Sequence, residues 1–220
     1  MVKAVGFDWL DEPGYARLTE GGRVLEADRH GAKLLALRDG RYLKLFRRKR
    51  LLSSALMRPY SRRFQRNAER LGRLGIPTVV PERLLRIPHL RRTAVLYRPL
   101  AGRTLRELLA DAADREPWID RFGGFLGELH GRGIYFRSLH FGNLVVGDAG
   151  SLGLIDVADL EFRSAPLRAG LVARNLRHLM RYPADWIHIR GAAAAFRRGY
   201  ARSGRPLPAP AETLIGGPSG

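Results

Sequence analysis

Polar and apolar positions first settle into a pattern in "GAKLLALRDGRYLKLF", residues 31–46. Two short runs flank Asp39-Gly40, a dipeptide suited to a two-residue hairpin turn. In the second run Tyr42, Lys44 and Phe46 share one face of the strand and Leu43 and Leu45 the other, because strand side chains alternate. The period then lengthens. "SRRFQRNAERLGRLG", 61–75, predicts a helix with Ser61 as N-cap and Gly75 as stop. Phe64, Ala68 and Leu71 form its buried stripe at i, i+4 and i+7. "TVVPERLLRI" and "RTAVLYRPL" predict two further strands. Past "YRPLAGR" the pattern turns helical, roughly over 104–112, 117–131, 166–182 and 184–202. Within that stretch "GNLVVGDAGSLGLIDV" predicts two brief strands about a Gly-rich turn. "GRPLPAPAETLIGGPSG", from 204, is aperiodic and rich in Pro, Gly and Ala, and predicts a loose tail. The layout is a two-lobed α+β protein: a strand-rich lobe over 1–99, a helical lobe over 100–203 and a flexible tail over 204–220.

Composition changes this picture in three ways. A chain of 220 residues is long enough to bury a real core. It has no cysteine, which excludes a disulfide framework, thiolate metal sites and a Cys nucleophile, and fits a reducing cytoplasm. No apolar run at the amino terminus suits a signal peptide, and none elsewhere approaches the roughly 20 apolar residues of a membrane span. The formal charge is +18, carried almost wholly by Arg, with Lys only at 3, 33, 44 and 49. Arginine's planar fork matches phosphate, so anionic partners fit; a solvated Arg-rich surface fits the same numbers.

The candidate chemistry lies in "GIYFRSLHFGN", 133–143, and "GLIDVAD", 153–159. Phosphoryl transfer asks a protein for a cation on the phosphates, oxygen ligands for magnesium, and a group that positions the attacking hydroxyl. Lys44 on a predicted strand offers the first. Asn143, five residues after Ser138, and Asp156, 18 residues after it with a hairpin between, offer the second. His140 stands two residues from Ser138 and offers the third.

In these residues, with "LYRPLAGRTLRELL", "NAERLGRLGIPT" and "FLGELHGRGIY", the chain resembles the small-molecule branch of the protein kinase-like fold. That branch includes the aminoglycoside phosphotransferases and the lipopolysaccharide core heptose kinases. The resemblance spans roughly residues 30 to 180. It implies a bilobal kinase-like fold, ATP and Mg²⁺ as cofactors, Lys44 on the phosphates, and Asn143 and Asp156 on the metal facing Lys44 across one cleft. His140 matches the second His of the family's loop, H-x-D-x-H-x-x-N. The implied activity is phosphorylation of a sugar on a nascent envelope glycolipid, in the cytoplasm at the inner membrane face.

The chain departs from the family pattern at three places. Phe136 and Ser138 replace the loop's His and Asp, and a neutral hydroxyl does not accept a proton as a carboxylate does. "EADRHGAK" has one glycine where the family has a Gly-rich phosphate loop. The helix turns Asn67 toward its Phe64/Ala68/Leu71 stripe and Glu69 roughly opposite, so the partner of Lys44 is either an uncharged Asn67 or a distant Glu69. Two readings follow: a kinase in which His140 takes over the proton or orients the hydroxyl while Ser138 still faces it, or a nucleotide-binding pseudokinase serving as a scaffold or regulator in envelope assembly. A basic stretch, "RRKR" at 47–50 with Arg58, Arg62, Arg63 and Arg66, suits an anionic membrane or a phosphorylated substrate. A nucleic-acid module ranks last, since no binding motif is present and few aromatics are interleaved with the arginines.

Overall fold

The computed structural model of the protein describes residues 6–47 and 59–216. The chain is α+β, with eight α-helices among the described residues, and divides into two compact units, Met1–Leu100 and Ala101–Gly220. No helix among the described residues is long and apolar enough to cross a membrane.

The first unit contains β1 (Asp8–Trp9), α1 (Glu12–Thr19), β2 (Arg23–Asp28), β3 (Gly31–Ala36), β4 (Tyr42–Arg47), α2 (Tyr60–Arg73), β5 (Val80–Ile87) and β6 (Arg92–Arg98). Its strands form one sheet in the order β1-β5-β6-β4-β3-β2, antiparallel except that β1 runs parallel to β5. Three of these elements, β1, α1 and β2, have no counterpart in the hydrophobic pattern. The physical reason is shallow burial: α1 has no fully buried residue, and every β2 position is exposed or half-buried. Its cap starts α1, with the Asp11 carboxylate accepting from the Gly14 amide at 2.8 Å.

Alternation along β4 sorts its side chains as the pattern predicts. Leu43 and Leu45 join Leu35, Leu37, Leu85, Ile87, Ala94 and Leu96 in a core against which Leu10, Tyr15 and Leu18 pack. Tyr42, Lys44 and Phe46 take the other face, where Lys44 sits in register between Leu34 and Val95. α2 covers that face: Phe64 meets the rings of Phe46 at 5.9 Å and Tyr97 at 5.3 Å. The hairpin itself is not the expected two-residue turn. Leu37 and Arg41 bond across it at 2.8 Å, leaving the three-residue loop Arg38-Asp39-Gly40 with Gly40 at φ +80. Only glycine adopts that left-handed conformation cheaply, and it supplies the extra residue that keeps the strands in twist.

α2 also departs from its expected start. Pro59, not Ser61, is the N-cap; Ser61 is fully buried inside the helix, with its Oγ 2.9 Å from Thr93 Oγ1 on β6. At the other end Gly75 stops the helix as expected. Ile76 N–H reaches Leu71 O and Gly75 N–H reaches Gly72 O, both at 3.0 Å, the double bond that satisfies a helix's last carbonyls.

The second unit runs through β7 (Arg103–Thr104), α3 (Leu105–Asp111), α4 (Glu116–Gly131), β8 (Ile134–Phe136), β9 (Leu144–Val146), β10 (Leu152–Leu154), β11 (Leu160–Phe162), α5 (Ala169–Met180), α6 (Pro183–Gly191), α7 (Ala193–Ala201) and α8 (Ala209–Gly216). Its strands form two small sheets, β10-β9-β7 and β11-β8. A capping box starts α3: the Glu107 amide bonds Thr104 Oγ1 at 3.2 Å and the Thr104 amide bonds Glu107 Oε2 at 2.8 Å. α4 and α7 touch backbone to backbone, because a Cβ on Gly199 would fall 1.8 Å from Asp120 O.

Two expectations are corrected here. The single helix expected over 184–202 is two, broken at Ala192, whose backbone leaves the helical region at φ −125 and ψ 39. The tail expected to be loose from 204 instead folds into α8. Leu207, Ala211 and Ile215 repeat at i, i+4 and i+8 and are buried, while Glu212 pairs with Arg197 at 2.7 Å. Proline at the helix entrance disguised that stripe, although Pro is tolerated in a first turn.

Candidate functional site

The loop between β8 and β9, residues 137–143, is built from beneath by a buried polar network. Phe136 on β8 exchanges two backbone bonds with the Asn175 amide of α5: Nδ2 donates to Phe136 O at 2.6 Å, and Oδ1 accepts from Phe136 N at 3.3 Å. Asn175 Oδ1 also lies 3.1 Å from His130 Nε2, while His130 Nδ1 is 2.9 Å from the Tyr200 hydroxyl. An amide oxygen only accepts, so the His130 proton sits on Nε2 and Nδ1 accepts from Tyr200. Burial holds this imidazole neutral by pushing its pKa down to about 4, and raises the Tyr200 hydroxyl to about 12.

From above, Asp185 of α6 clamps the same loop. Its carboxylate is 1% exposed and accepts from the Phe141 amide at 2.8 Å. Arg106 of α3 donates to it twice, from Nε and Nη2, both at 2.8 Å, and these bonds raise the guanidinium's pKa further. Arg106 Nη2 also comes within 3.5 Å of His140 Nδ1, and the His140 ring lies 4.4 Å from that of Tyr182. A guanidinium has no lone pair to offer, so this long contact favours the tautomer with the His140 proton on Nε2. Burial first, and Arg106 second, lower the His140 pKa; the Asp185 and Asp156 carboxylates oppose them. His140 is therefore a neutral donor at neutral pH, with the Asp156 carboxylate within electrostatic reach.

Asn143 closes the loop. Its Nδ2 donates to Ser138 O at 2.9 Å, and its backbone accepts from Ile155 N at 3.0 Å, one residue before Asp156. The β9–β10 pairing, Leu144 opposite Leu154, makes that closure. Asp156 follows in the left-handed region at φ 53 and ψ 47, a conformation costing roughly 1–2 kcal/mol for most side chains and less for Asp. Such a backbone turn is kept when it aims a side chain. A one-turn 3₁₀ helix, Val157–Asp159, then brings Asp159 back to the loop, where its Oδ2 accepts from Ser138 Oγ at 3.2 Å.

Ser138, His140, Asn143 and Asp156 are thus gathered around one loop and one hairpin of the second unit. Lys44 and Asn67 belong to the first unit, Lys44 on the sheet face that α2 covers and Asn67 on α2 itself. Asn67 is 8% exposed on the helix stripe, whereas Glu69 is exposed, the arrangement that helical phase predicts. Among the described residues no three His, Asp or Glu side chains are grouped to hold a metal by themselves. Of the basic stretch, residues 48–50 and Arg58 lie outside the described residues. Arg62 and Arg66 are exposed on α2, with Arg62 stacked 4.9 Å over the Phe7 ring.

Beyond the supporting network of His130, Asn175 and Tyr200, three residues that reach the loop itself were not singled out in the sequence: Arg106, Asp159 and Asp185. Arg106 and Asp185 are 79 residues apart and carry no local signal. Asp159 had one, a second acid three residues past Asp156 in "DVAD". No protein-family model matches the chain, and no curated protein matches it in sequence.

Proposed function

We propose that the protein is a bilobal kinase-fold phosphotransferase that moves the γ-phosphoryl group of ATP to a sugar hydroxyl of the lipopolysaccharide core or a related envelope glycolipid. The observation that carries this reading is the gathering of Ser138, His140, Asn143 and Asp156 around one loop and one hairpin. Phosphoryl transfer depends mostly on positioning and electrostatic stabilisation, which rigid loops supply.

Each residue has a role that its surroundings suit. Asp156 and the Oδ1 of Asn143 are oxygen donors for a hard cation, and two such ligands suit Mg²⁺, which keeps waters and takes phosphate oxygens for the rest of its shell. When bound, the cation neutralises charge on the β- and γ-phosphates. Lys44 is the cation assigned to the phosphates, with Asn67 as its uncharged neighbour in role. His140, neutral and protonated on Nε2, donates a hydrogen bond that orients the acceptor or a phosphate oxygen. That tautomer makes His140 a positioning group and argues against its taking over as the base. Exposed Arg62 and Arg66 suit an anionic glycolipid or the inner membrane surface.

Ser138 favours a second reading, a nucleotide-binding pseudokinase acting as a scaffold or regulator in envelope assembly, because it puts a hydroxyl where a carboxylate is wanted. Both readings require metal-dependent ATP binding, and ligand binding to the native state raises apparent stability, by about 2.7 kcal/mol at 100 times Kd. A thermal-shift titration with ATP and Mg²⁺ or Mn²⁺ is expected to raise Tm for the wild type and not for Asp156→Ala. No shift in the wild type, or equal shifts in both, defeats the two readings together. Phosphate transfer to a core glycolipid then separates kinase from pseudokinase.

A further inference from the structure

We propose that Asp159 is the proton-accepting carboxylate of this site, working through the Ser138 hydroxyl. The inference rests on reading the loop as a phosphotransfer site and adds the group which that reading lacks.

Strand pairing makes the meeting of these two residues a consequence of the fold. β8 and β11 are antiparallel with Phe136 opposite Leu160, so the chain leaving β8 and the chain entering β11 run side by side. Ser138 lies two residues past that pair on one strand and Asp159 one residue before it on the other. The 3.2 Å bond from Ser138 Oγ to Asp159 Oδ2 points the serine proton at the carboxylate and leaves the serine lone pairs able to accept another. Both residues are half-buried, open enough for a substrate hydroxyl and dry enough to strengthen a proton transfer.

The other groups near the loop are engaged elsewhere. Asp185 holds Arg106 and the Phe141 amide. Asp156 is assigned to the cation. Arg106 at the Nδ1 of His140 favours a proton on Nε2. Asp159 is the carboxylate in contact with position 138, where a base belongs.

The step balances without a further reactant. The acceptor oxygen forms a bond to the γ-phosphorus, and the bond from that phosphorus to the β,γ-bridging oxygen breaks, its electron pair leaving with ADP. As it attacks, the acceptor hydroxyl passes its proton to Ser138 Oγ, which passes its own to Asp159. Asp159 then releases one proton to solvent.

The arrangement reverses a simple expectation about Ser138→Asp. Alone, that substitution sets two carboxylates side by side, where they repel and one holds a proton. Combined with Asp159→Asn, it moves the single carboxylate onto the loop instead.

The test uses the full chain and ATP–Mg²⁺ with water as acceptor, following released phosphate. Asp159→Asn, nearly isosteric, is expected to lower kcat by roughly 10²-fold or more, in the range of general-base catalysis, with KM for ATP unchanged. Ser138→Asp/Asp159→Asn is expected to recover much of that loss, which a merely structural bond does not explain. All variants are expected to show the wild-type thermal shift with ATP–Mg²⁺, which also checks that they fold. Asp159→Asn turning over at the wild-type rate, or the double variant no faster than Asp159→Asn, overturns the proposal. A wild type that binds ATP–Mg²⁺ and releases no phosphate also overturns it, while leaving the pseudokinase reading in place. A wild type without ATP–Mg²⁺ binding removes this inference and the phosphotransfer reading together.

Discussion

The sheet of the first unit and the 137–143 loop of the second both bury apolar side chains, Leu139 and Phe141 in the loop among them, but differ in what fixes the backbone. On β4, period-two alternation puts Leu43 and Leu45 in one apolar layer and Phe46 against Phe64 in another. Around the loop the contacts that position the backbone are polar, two buried and one partly so: Asn175 on Phe136, Asp185 on Phe141, Asn143 on Ser138. Apolar burial is additive and tolerant of detail, so it builds the scaffold. Buried hydrogen bonds are directional and costly to leave unmade, so they hold side chains in one geometry. The contrast predicts that damage to the sheet appears as lost stability, and damage to the loop as lost local order and lost chemistry.

The largest effect is expected in the apolar layer. Phe64 is 1% exposed between Phe46 and Tyr97, and Phe64→Ala is expected to cost about 3–5 kcal/mol, read by chemical denaturation. A loss below about 1 kcal/mol says that α2 contributes little to the first unit and removes the contrast.

The polar side reveals itself through pH. His130 folds with a pKa of about 4 against 6.5 for the free imidazole, and burial is the main cause. Between those values the unfolded chain binds a proton that the folded chain excludes. Stability is therefore complete above pH 6.5 and falls as the pH drops toward 4, by roughly 3 kcal/mol at about 1.36 kcal/mol per unit. Denaturation at pH 7 and pH 4.5 measures the slope. His140, His178 and His188 are shifted the same way, so the decisive comparison is with His130→Gln, whose slope is expected to be shallower. An unchanged slope assigns the pH dependence elsewhere.

A smaller global loss and a sharper local one are expected from Asp185→Asn. It weakens the clamp on Phe141 and leaves Arg106 without its carboxylate. Because the Arg106 side chain is 46% exposed, water rescreens its charge, and the cost is about 2 kcal/mol or less. Hydrogen exchange at the Phe141 amide is expected to quicken well beyond what the global change explains. Uniform quickening across the second unit argues that the clamp is ordinary packing.

The smallest effect has the opposite sign. Asp156→Gly relieves a left-handed backbone and is expected to leave stability unchanged or raise it by up to about 1 kcal/mol, while the ATP–Mg²⁺ thermal shift disappears. Retention of that shift makes Asp156 a turn residue and nothing more.

Which parts were legible follows from the same contrast. The alternation of "RYLKLF", the stripe Phe64/Ala68/Leu71, the Gly75 stop and the hairpin strands at 144–146 and 152–155 are local signals, and they appear in the fold, the last strand ending one residue early at Leu154. The inward turn of Asn67 and the outward turn of Glu69 follow from helical phase alone. β1, α1 and β2 were not legible because edge elements bury too little to print a pattern. α8 was hidden by its Pro-rich approach, and the break at Ala192 by the strong helix-forming alanines that follow its one local mark, Gly191.

By itself, then, the sequence determined an α+β chain, its main strands and helices, and the spacing that sets Ser138, His140, Asn143 and Asp156 in order along the chain. Only the tertiary structure decided which groups meet. Arg106 and Asp185 come together across 79 residues, His130 and Tyr200 across 70, and Ser138 and Asp159 across 21. The reason is physical. Periodicity records which face of an element leaves water, a property each element carries locally. Partner choice among buried polar groups depends on where distant elements bring their atoms to within hydrogen-bonding distance, and no spacing along the chain encodes that.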